Sequence, residues 1–485
     1  MRRRRAAALG ASTVGGLSYV AARLTLRDAG RRDRIVRTAR IWRLTVRRAA
    51  HFGFTKARGA AATAERRREL DEHFKIKTAE DVARELGNMK GVIMKAGQMM
   101  SFILDGLPPQ AQAALATLQA DVPPMSPSAA AQVVREELGR DPHDIFLEWN
   151  ELPSAAASIG QVHRAVTRDG RIVAVKVQYP GIDMAIGSDL ANAELLYAML
   201  SSFTLKSLDT KALVEELRAR MFDELDYRLE ASCQSEFANH YRGHPFVHIP
   251  DVLPEYSTRR VLTSDWVDGS SFQDFMATST DAERQHVAEV IFRFVQGSIY
   301  RDGVFNGDPH PGNYRFHADG TVTFLDFGLV KRWAEGEFEA LMPLIDPLLD
   351  REAEVMVERM VKVGFLPADH GLDAMHVWDY VSAPYKPYLE TEFTFTRDFT
   401  GTTMMSLLDV TGPFADVIAK LMMPTSFVIL DRVVWGMCAL LGQLGARNRW
   451  RDLFEEYRFG IAPTTELGRA EREWYDAVGQ NNVGR

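Results

Sequence analysis

Cysteine is nearly missing from this chain: Cys233 and Cys438 are the only two in 485 residues. Two thiols so far apart fit no zinc-ligand spacing and build no disulfide framework, which points to a reducing compartment, the cytoplasm. No internal repeat appears, and no serine or cysteine triad pattern, so neither a repeat array nor a triad hydrolase is expected. Long apolar runs are scarce too. Residues 6–22 are uncharged behind Arg2 to Arg5, in the manner of a signal peptide or short anchor, but Ala, Gly, Ser and Thr dominate and the run is short for a membrane span. Residues 421–446 are strongly apolar, yet Pro424 and Asp431-Arg432 interrupt them. A buried helix is therefore expected there ahead of a membrane span.

What is present is an ordinary globular composition, 46% hydrophobic and 25% charged, able to bury a large core. The length is about three times that of a usual domain, which predicts two lobes with added elements. Acidic charge dominates overall, with a net −7, but residues 1–58 hold sixteen Lys and Arg against two Asp. That local +14 leaves −21 on the remainder, and a basic arm on an acidic body suits an anionic surface, phospholipid as well as nucleic acid. Within the arm, Ile35, Ala39, Trp42 and Val46 recur at helical spacing among arginines. Such a helix either lies on anionic lipid or docks by its apolar stripe.

The chemistry concentrates in Phe305 to Val330, FNGDPHPGNYRFHADGTVTFLDFGLV. Asp308 is followed five positions on by Asn313, and thirteen later by Asp326, which opens an Asp-Phe-Gly triplet after an apolar run. Kinase-type phosphoryl transfer needs that order: an aspartate beside the attacking hydroxyl, an asparagine for one magnesium, and an aspartate for the metal that bridges the phosphates. Upstream, Val173-Ala174-Val175-Lys176 ends a strand–turn–strand pattern around Asp169-Gly170, and its lysine is placed to contact nucleotide phosphates. Where a glycine-rich phosphate loop would lie, the chain has Ala155-Ala156-Ala157-Ser158-Ile159-Gly160. Alanine is stiffer and its methyls narrow the space above the phosphates, so the nucleotide geometry is expected to differ from that of a typical kinase. Residues 209–240 read as one long helix holding Glu224, Asp226 and Glu230, one of which is expected to pair with Lys176. A helix from residue 78 carries Lys95 and Gln98 on one face, and AAAQVVREELG predicts another ended by Gly139.

Lys95-x-Gly-Gln98, the alanine-rich stretch at 155–163, Lys176, Glu224-x-Asp226, Asp308 to Asn313 and Asp326-Phe-Gly occur in one order. Together they resemble the UbiB (AarF, or ADCK) family of atypical kinases over about residues 75–335. The resemblance implies an α+β, protein-kinase-like two-lobed fold with a helical extension and a mostly helical carboxy lobe. It also implies ATP and Mg2+ as cofactors and a role tied to membrane lipids, most often quinone biosynthesis. Carried over by position, Lys176 is the nucleotide lysine with Glu230 as its helix partner, and Asp308 is the catalytic-loop aspartate. Asn313 and Asp326 hold metal, residues 155–160 cover the nucleotide, and Lys95 and Gln98 belong to an extension across the site that Glu224 and Asp226 meet.

Five divisions follow: a basic arm (1–74), a helical extension (75–150), an amino lobe (151–268), a carboxy lobe (269–475) and a loosely ordered tail from 476. Helices are expected at 336–364, 373–390 and 413–446. Two departures from ordinary protein kinases bear on substrate. The chain reads Pro-His-Pro-Gly after Asp308, without the loop lysine two positions on, and no Ala-Pro-Glu follows Asp-Phe-Gly. Both disfavour peptide substrates. Three function classes remain open: a lipid or small-molecule kinase or ATPase, peripheral on the inner face of the membrane; a conventional protein kinase; and a non-catalytic nucleotide-binding scaffold. Expected partners are nucleotide, a lipid or isoprenoid-quinone precursor and an anionic membrane surface, with no nucleic acid.

Overall fold

Helix α1 (Pro127–Leu138) opens the portion described by the computed structural model, which covers residues 125–157, 159–183, 222–409, 412–422 and 425–478. The basic arm, Lys95, Gln98 and Ser158 lie outside the described residues. The α1 start is set by Ser126, whose hydroxyl accepts from the Ala129 N–H, and by Pro127, which loses no helical bond in the first turn. Its end is Gly139 in the left-handed region (φ 77°). A short turn α2 (Pro142–Ile145) leads to strand β1 (Glu148–Trp149).

An antiparallel sheet follows, built from β1, β2 (Ala155–Ala157), β3 (Gly160–Val166), β4 (Ile172–Gln178) and β6 (Val261–Asp265) in the order β1-β3-β4-β6, with β2 also paired to β3. Strand periodicity decides where Lys176 goes. Val173, Val175 and Val177 are fully buried and pack in one cluster with Val133, Val134, Phe146 and Trp149, so Ala174 and Lys176 take the opposite face. That other face meets helix α3 (Tyr227–His240), where Ile159, Leu225, Tyr227 and Leu262 form a second cluster.

The long helix expected over 209–240 is broken in its described part. Residues 222–223 are helical but 224–225 turn, Asp226 is extended (φ −122°, ψ 91°), and its carboxylate caps α3 by accepting from the Arg228 N–H. An aspartate satisfies orphan N–H groups better as a cap than inside a helix, so the acid read as helical is the helix start.

The carboxy lobe is organised on helix α5 (Asp281–Gly297), entered after the short α4 (Phe272–Thr278). A capping box between Thr280 and Glu283 fixes its start, and all residues from Val287 to Gly297 are buried. It widens into a π-helical turn at Ser298–Asp302, then gives way to β7 (Val304–Asn306). Strand β5 (Val247–His248) pairs in parallel with β9 (Val322–Phe324), which pairs antiparallel with β8 (Tyr314–Phe316), while β10 (Val330–Arg332) pairs with β7.

Beyond these strands the expected long helices fragment. Residues 336–364 form α6 (Glu337–Leu341), α7 (Ile345–Leu349) and α8 (Ala353–Val363), separated at Pro343 and at Arg351, which has φ 61°. Residues 373–390 split into α9 (Ala374–Ser382) and α10 (Lys386–Leu389) around Pro384. The helices α11 (Arg397–Leu408), after the short strand β11 (Phe393–Thr394), and α12 (Ala415–Lys420) precede α13 (Thr425–Leu444), the interrupted apolar run. Val433, Met437, Leu440 and Leu441 of α13 are buried, and no helix among the described residues is long and apolar enough to cross a membrane. Strand β12 (Arg447–Asn448), α14 (Trp450–Phe459) and α15 (Glu466–Val478) finish the lobe. The loosely ordered tail expected from 476 is thus corrected for residues 476–478, which close α15; Glu471 and Tyr475 are buried and hold the helix in place.

Candidate functional site

Lys176 leaves the lower face of β4 toward α3, and its Nζ donates to both oxygens of Glu230, at 2.7 and 2.9 Å. Asp326 Oδ2 stands 3.7 Å from the same nitrogen. One ammonium therefore faces two carboxylates. Burial alone would lower the lysine pKa, but Glu230 and Asp326 outweigh it and hold the proton well above the ordinary range. Burial pushes the Glu230 carboxyl up to about 7, against the opposing pull of Lys176. Two carboxylates sharing one cation in a desolvated cleft leave negative charge uncompensated.

The surroundings of this trio are tight. Lys176 Nζ lies 5.0 Å over the Tyr227 ring, and the buried Tyr227 hydroxyl has no partner. A side chain at Gly160 would put its Cβ 2.2 Å from the Val177 carbonyl oxygen and 3.0 Å from the Tyr227 hydroxyl, so the sheet closes over the cleft only with glycine there. The alanines of that stretch form a strand: Ala155, Ala156 and Ala157 pair with Val162, Gln161 and Gly160. Glu224 is placed apart from the α3 carboxylate, in the turn before it, where its carbonyl accepts from Gln178 Nε2 at 3.5 Å. Asp226 pairs with Arg228.

Below the sheet, strand pairing sets the second half of the site. Tyr314 pairs with Phe324, and one step beyond them the Leu325 N–H donates to the Asn313 carbonyl at 2.9 Å. Asn313 is thereby carried beside the residue preceding Asp326. Its Nδ2 donates to Asp308 Oδ2 at 3.3 Å and to the Asp308 carbonyl at 3.2 Å, which leaves its own Oδ1 as the atom suited to a hard cation. Asp326 Oδ1 accepts from the Gly328 N–H at 2.9 Å. Among the described residues no group of three or more His, Cys, Asp and Glu gathers as a metal site. A divalent ion fits here only with Asn313, Asp326 and ligand oxygens together, and the surplus negative charge around Lys176 favours one.

Two residues that sequence reasoning missed complete the floor. Asn306, at the end of β7, accepts from the Asp308 N–H at 2.8 Å and donates through Nδ2 to the Asp326 carbonyl at 2.5 Å, so one amide ties the two aspartate segments together. Arg432, from α13, donates through Nη2 to Asp308 Oδ1 at 2.5 Å. A signal for each was present. Asn306 stands two residues before Asp308 at a strand end, and a charge inside an apolar helix requires a partner.

Comparison with known proteins identifies the family. Residues 117–360 match the ABC1 atypical kinase-like domain. The chain is 32% identical over 305 residues to the Arabidopsis thaliana chloroplastic protein ACTIVITY OF BC1 COMPLEX KINASE 3, covering 62% of this chain and 42% of that protein. It is 33% identical over 290 residues to an uncharacterized Synechocystis protein, covering 59% and 42%. The chain thus spans about two fifths of the length of these curated relatives. Rv3197 of Mycobacterium tuberculosis, solved as an erythromycin complex, superposes with a TM-score of 0.60 at 30% identity, over 81% of this chain and 99% of the other. With half the sequence matched by the family model and the lysine, carboxylate and asparagine positions gathered in one cleft, the chain belongs to the ABC1 atypical kinase-like family, the UbiB or ADCK kinases.

Proposed function

We propose that this protein is an ATP- and Mg2+-dependent atypical kinase or ATPase that acts on, or in support of, isoprenoid-quinone or other lipid metabolism at a membrane surface. The observation that carries the reading is Lys176 held between Glu230 and Asp326, above a floor on which Asp308 and Asn313 are linked. Lys176 would take nucleotide phosphate oxygens while Glu230 keeps its side chain aimed. Asn313 Oδ1 and Asp326 would hold Mg2+, which when bound neutralises charge on the phosphates. Asp308 would orient the hydroxyl of an acceptor or a water by accepting its hydrogen bond.

The lipid half of the proposal rests on the sequence. Peptide-docking features are missing after Asp-Phe-Gly, and the +14 arm of residues 1–58 suits an anionic surface. ATP turnover by the full chain is expected to need Mg2+ and to rise several-fold with anionic liposomes and a quinone-like phenol, a rise lost on deleting residues 1–58. Magnesium-independent turnover would remove the kinase-type reading. Equal turnover with and without liposomes and phenol would remove the lipid assignment alone, and efficient phosphorylation of a protein in trans would replace it.

A further inference from the structure

The loop after Asp308 lacks the lysine two positions on, and the residue in its place, His310, turns its Nδ1 inward to accept from the Gly312 N–H at 3.1 Å. The cation at this point comes instead from 124 residues away, through Arg432 on Asp308. Its placement is built in. Gly436, one turn further along α13, lies so close to the loop that an added Cβ would stand 2.2 Å from Pro309 Cγ. Residues i and i+4 share one helix face, so the contact that seats Gly436 on Pro309 also sets Arg432 on Asp308. The guanidinium is under-used there: Nη2 bonds Asp308, while Nη1 is buried without a hydrogen-bond partner. A planar fork of five donors suits two oxygens of one phosphate better than a single carboxylate oxygen.

We propose that Arg432 is the ligand for the terminal phosphate of a nucleoside triphosphate, supplied in space where the loop lacks a cation in sequence, and rests on Asp308 while that phosphate is absent. The inference builds on the nucleotide-binding reading above and adds the residue that tells triphosphate from diphosphate. Transfer of the guanidinium to phosphate frees Asp308 to accept from a hydroxyl.

Calorimetric titration of the full chain with magnesium and either ADP or a non-hydrolysable ATP analogue tests this. The native protein is expected to bind the triphosphate more tightly than the diphosphate. Arg432→Met should abolish that preference, a loss of about tenfold or more in triphosphate affinity, with diphosphate binding within twofold of native; Arg432→Lys should restore part of it. Should Arg432→Met fail to fold, Asp308→Asn decides the matter, because it removes the competing carboxylate and should raise triphosphate affinity several-fold without changing that for diphosphate. An unchanged triphosphate preference in Arg432→Met, or unchanged triphosphate affinity in Asp308→Asn, overturns the inference and leaves the nucleotide site standing. Absence of binding of either nucleotide by the native protein removes the nucleotide site itself.

Discussion

Two buried ionic clusters, one in the cleft and one beneath α5, use the same residue types to opposite ends. Beneath α5, Arg293 is 1% exposed, and its guanidinium donates to Glu289 at 2.8 Å, Glu456 at 2.8 Å and Glu471 at 3.2 Å. Arg301 adds a bond to the other oxygen of Glu471 at 3.0 Å and one to Asp302 at 2.9 Å, and Tyr457 donates to Glu471 at 2.5 Å. Burial would push the Glu471 carboxyl up, but Arg301 and Arg293 outweigh it and hold the carboxyl far below its ordinary range. In the cleft, Glu230 shares one lysine with Asp326 and burial wins, pushing it up to about 7. A closed network, every carboxylate oxygen matched, is scaffold. The cleft, where two carboxylates face one lysine, suits the role proposed above for a bound cation.

Breaking the scaffold network should give the largest effect. Arg293→Met strands three carboxylates and is expected to cost roughly 3–5 kcal/mol of unfolding free energy, read by urea titration. A loss below about 1 kcal/mol would show that the network is not closed in solution. The cleft should answer the opposite way. Asp326→Asn removes surplus negative charge and is expected to leave stability within about 1 kcal/mol while lowering ATP turnover by roughly 10²–10³-fold, measured on the same preparation.

The finest test is the sign of the pH dependence. Glu230 has a folded pKa raised from 4.5 to about 7, so its contribution to stability is full below about 4.5 and fades as pH rises through 7. Glu471, with a depressed folded pKa, contributes above its unfolded value of 4.5 and loses that contribution as pH falls below it. Glu230→Gln should therefore flatten the stability curve between pH 4.5 and 7, by about 1–3 kcal/mol, and Glu471→Gln should flatten it on the acid side. Matching slopes in the two variants would erase the distinction.

Much of the cleft was readable in the chain because its groups recur at fixed local spacing: Lys176 on an alternating strand, and Asp308, Asn313 and Asp326 across a short hairpin. Two lobes were expected from the length of the chain, and the kinase-like fold from the family resemblance that those groups carry. What was not readable depends on contacts far apart in sequence. Asp431-Arg432 looks like an interruption of an apolar run until Asp308 is seen opposite Arg432. The charged segment Glu466–Val478 has a solvated look, and only Arg293 and Arg301, some 170 residues earlier, explain why Glu471 is inside. Acids on both sides of residue 226 look alike in sequence, and the cap that makes Asp226 a helix start is a backbone event.

The Asn306 amide carries a mechanical consequence. Because it bonds the Asp308 N–H on one side and the Asp326 carbonyl on the other, with Asn313 latched to both Leu325 and Asp308, the lower wall of the cleft moves as one piece. Across the cleft that wall meets the sheet through the ion pair of Asp326 and Lys176 at 3.7 Å, and it meets α3 through Arg332 of β10, which donates to Glu236. A ligand entering between sheet and floor therefore meets a base braced beforehand, and the ion pair of Lys176 with Asp326 is the contact it has to share.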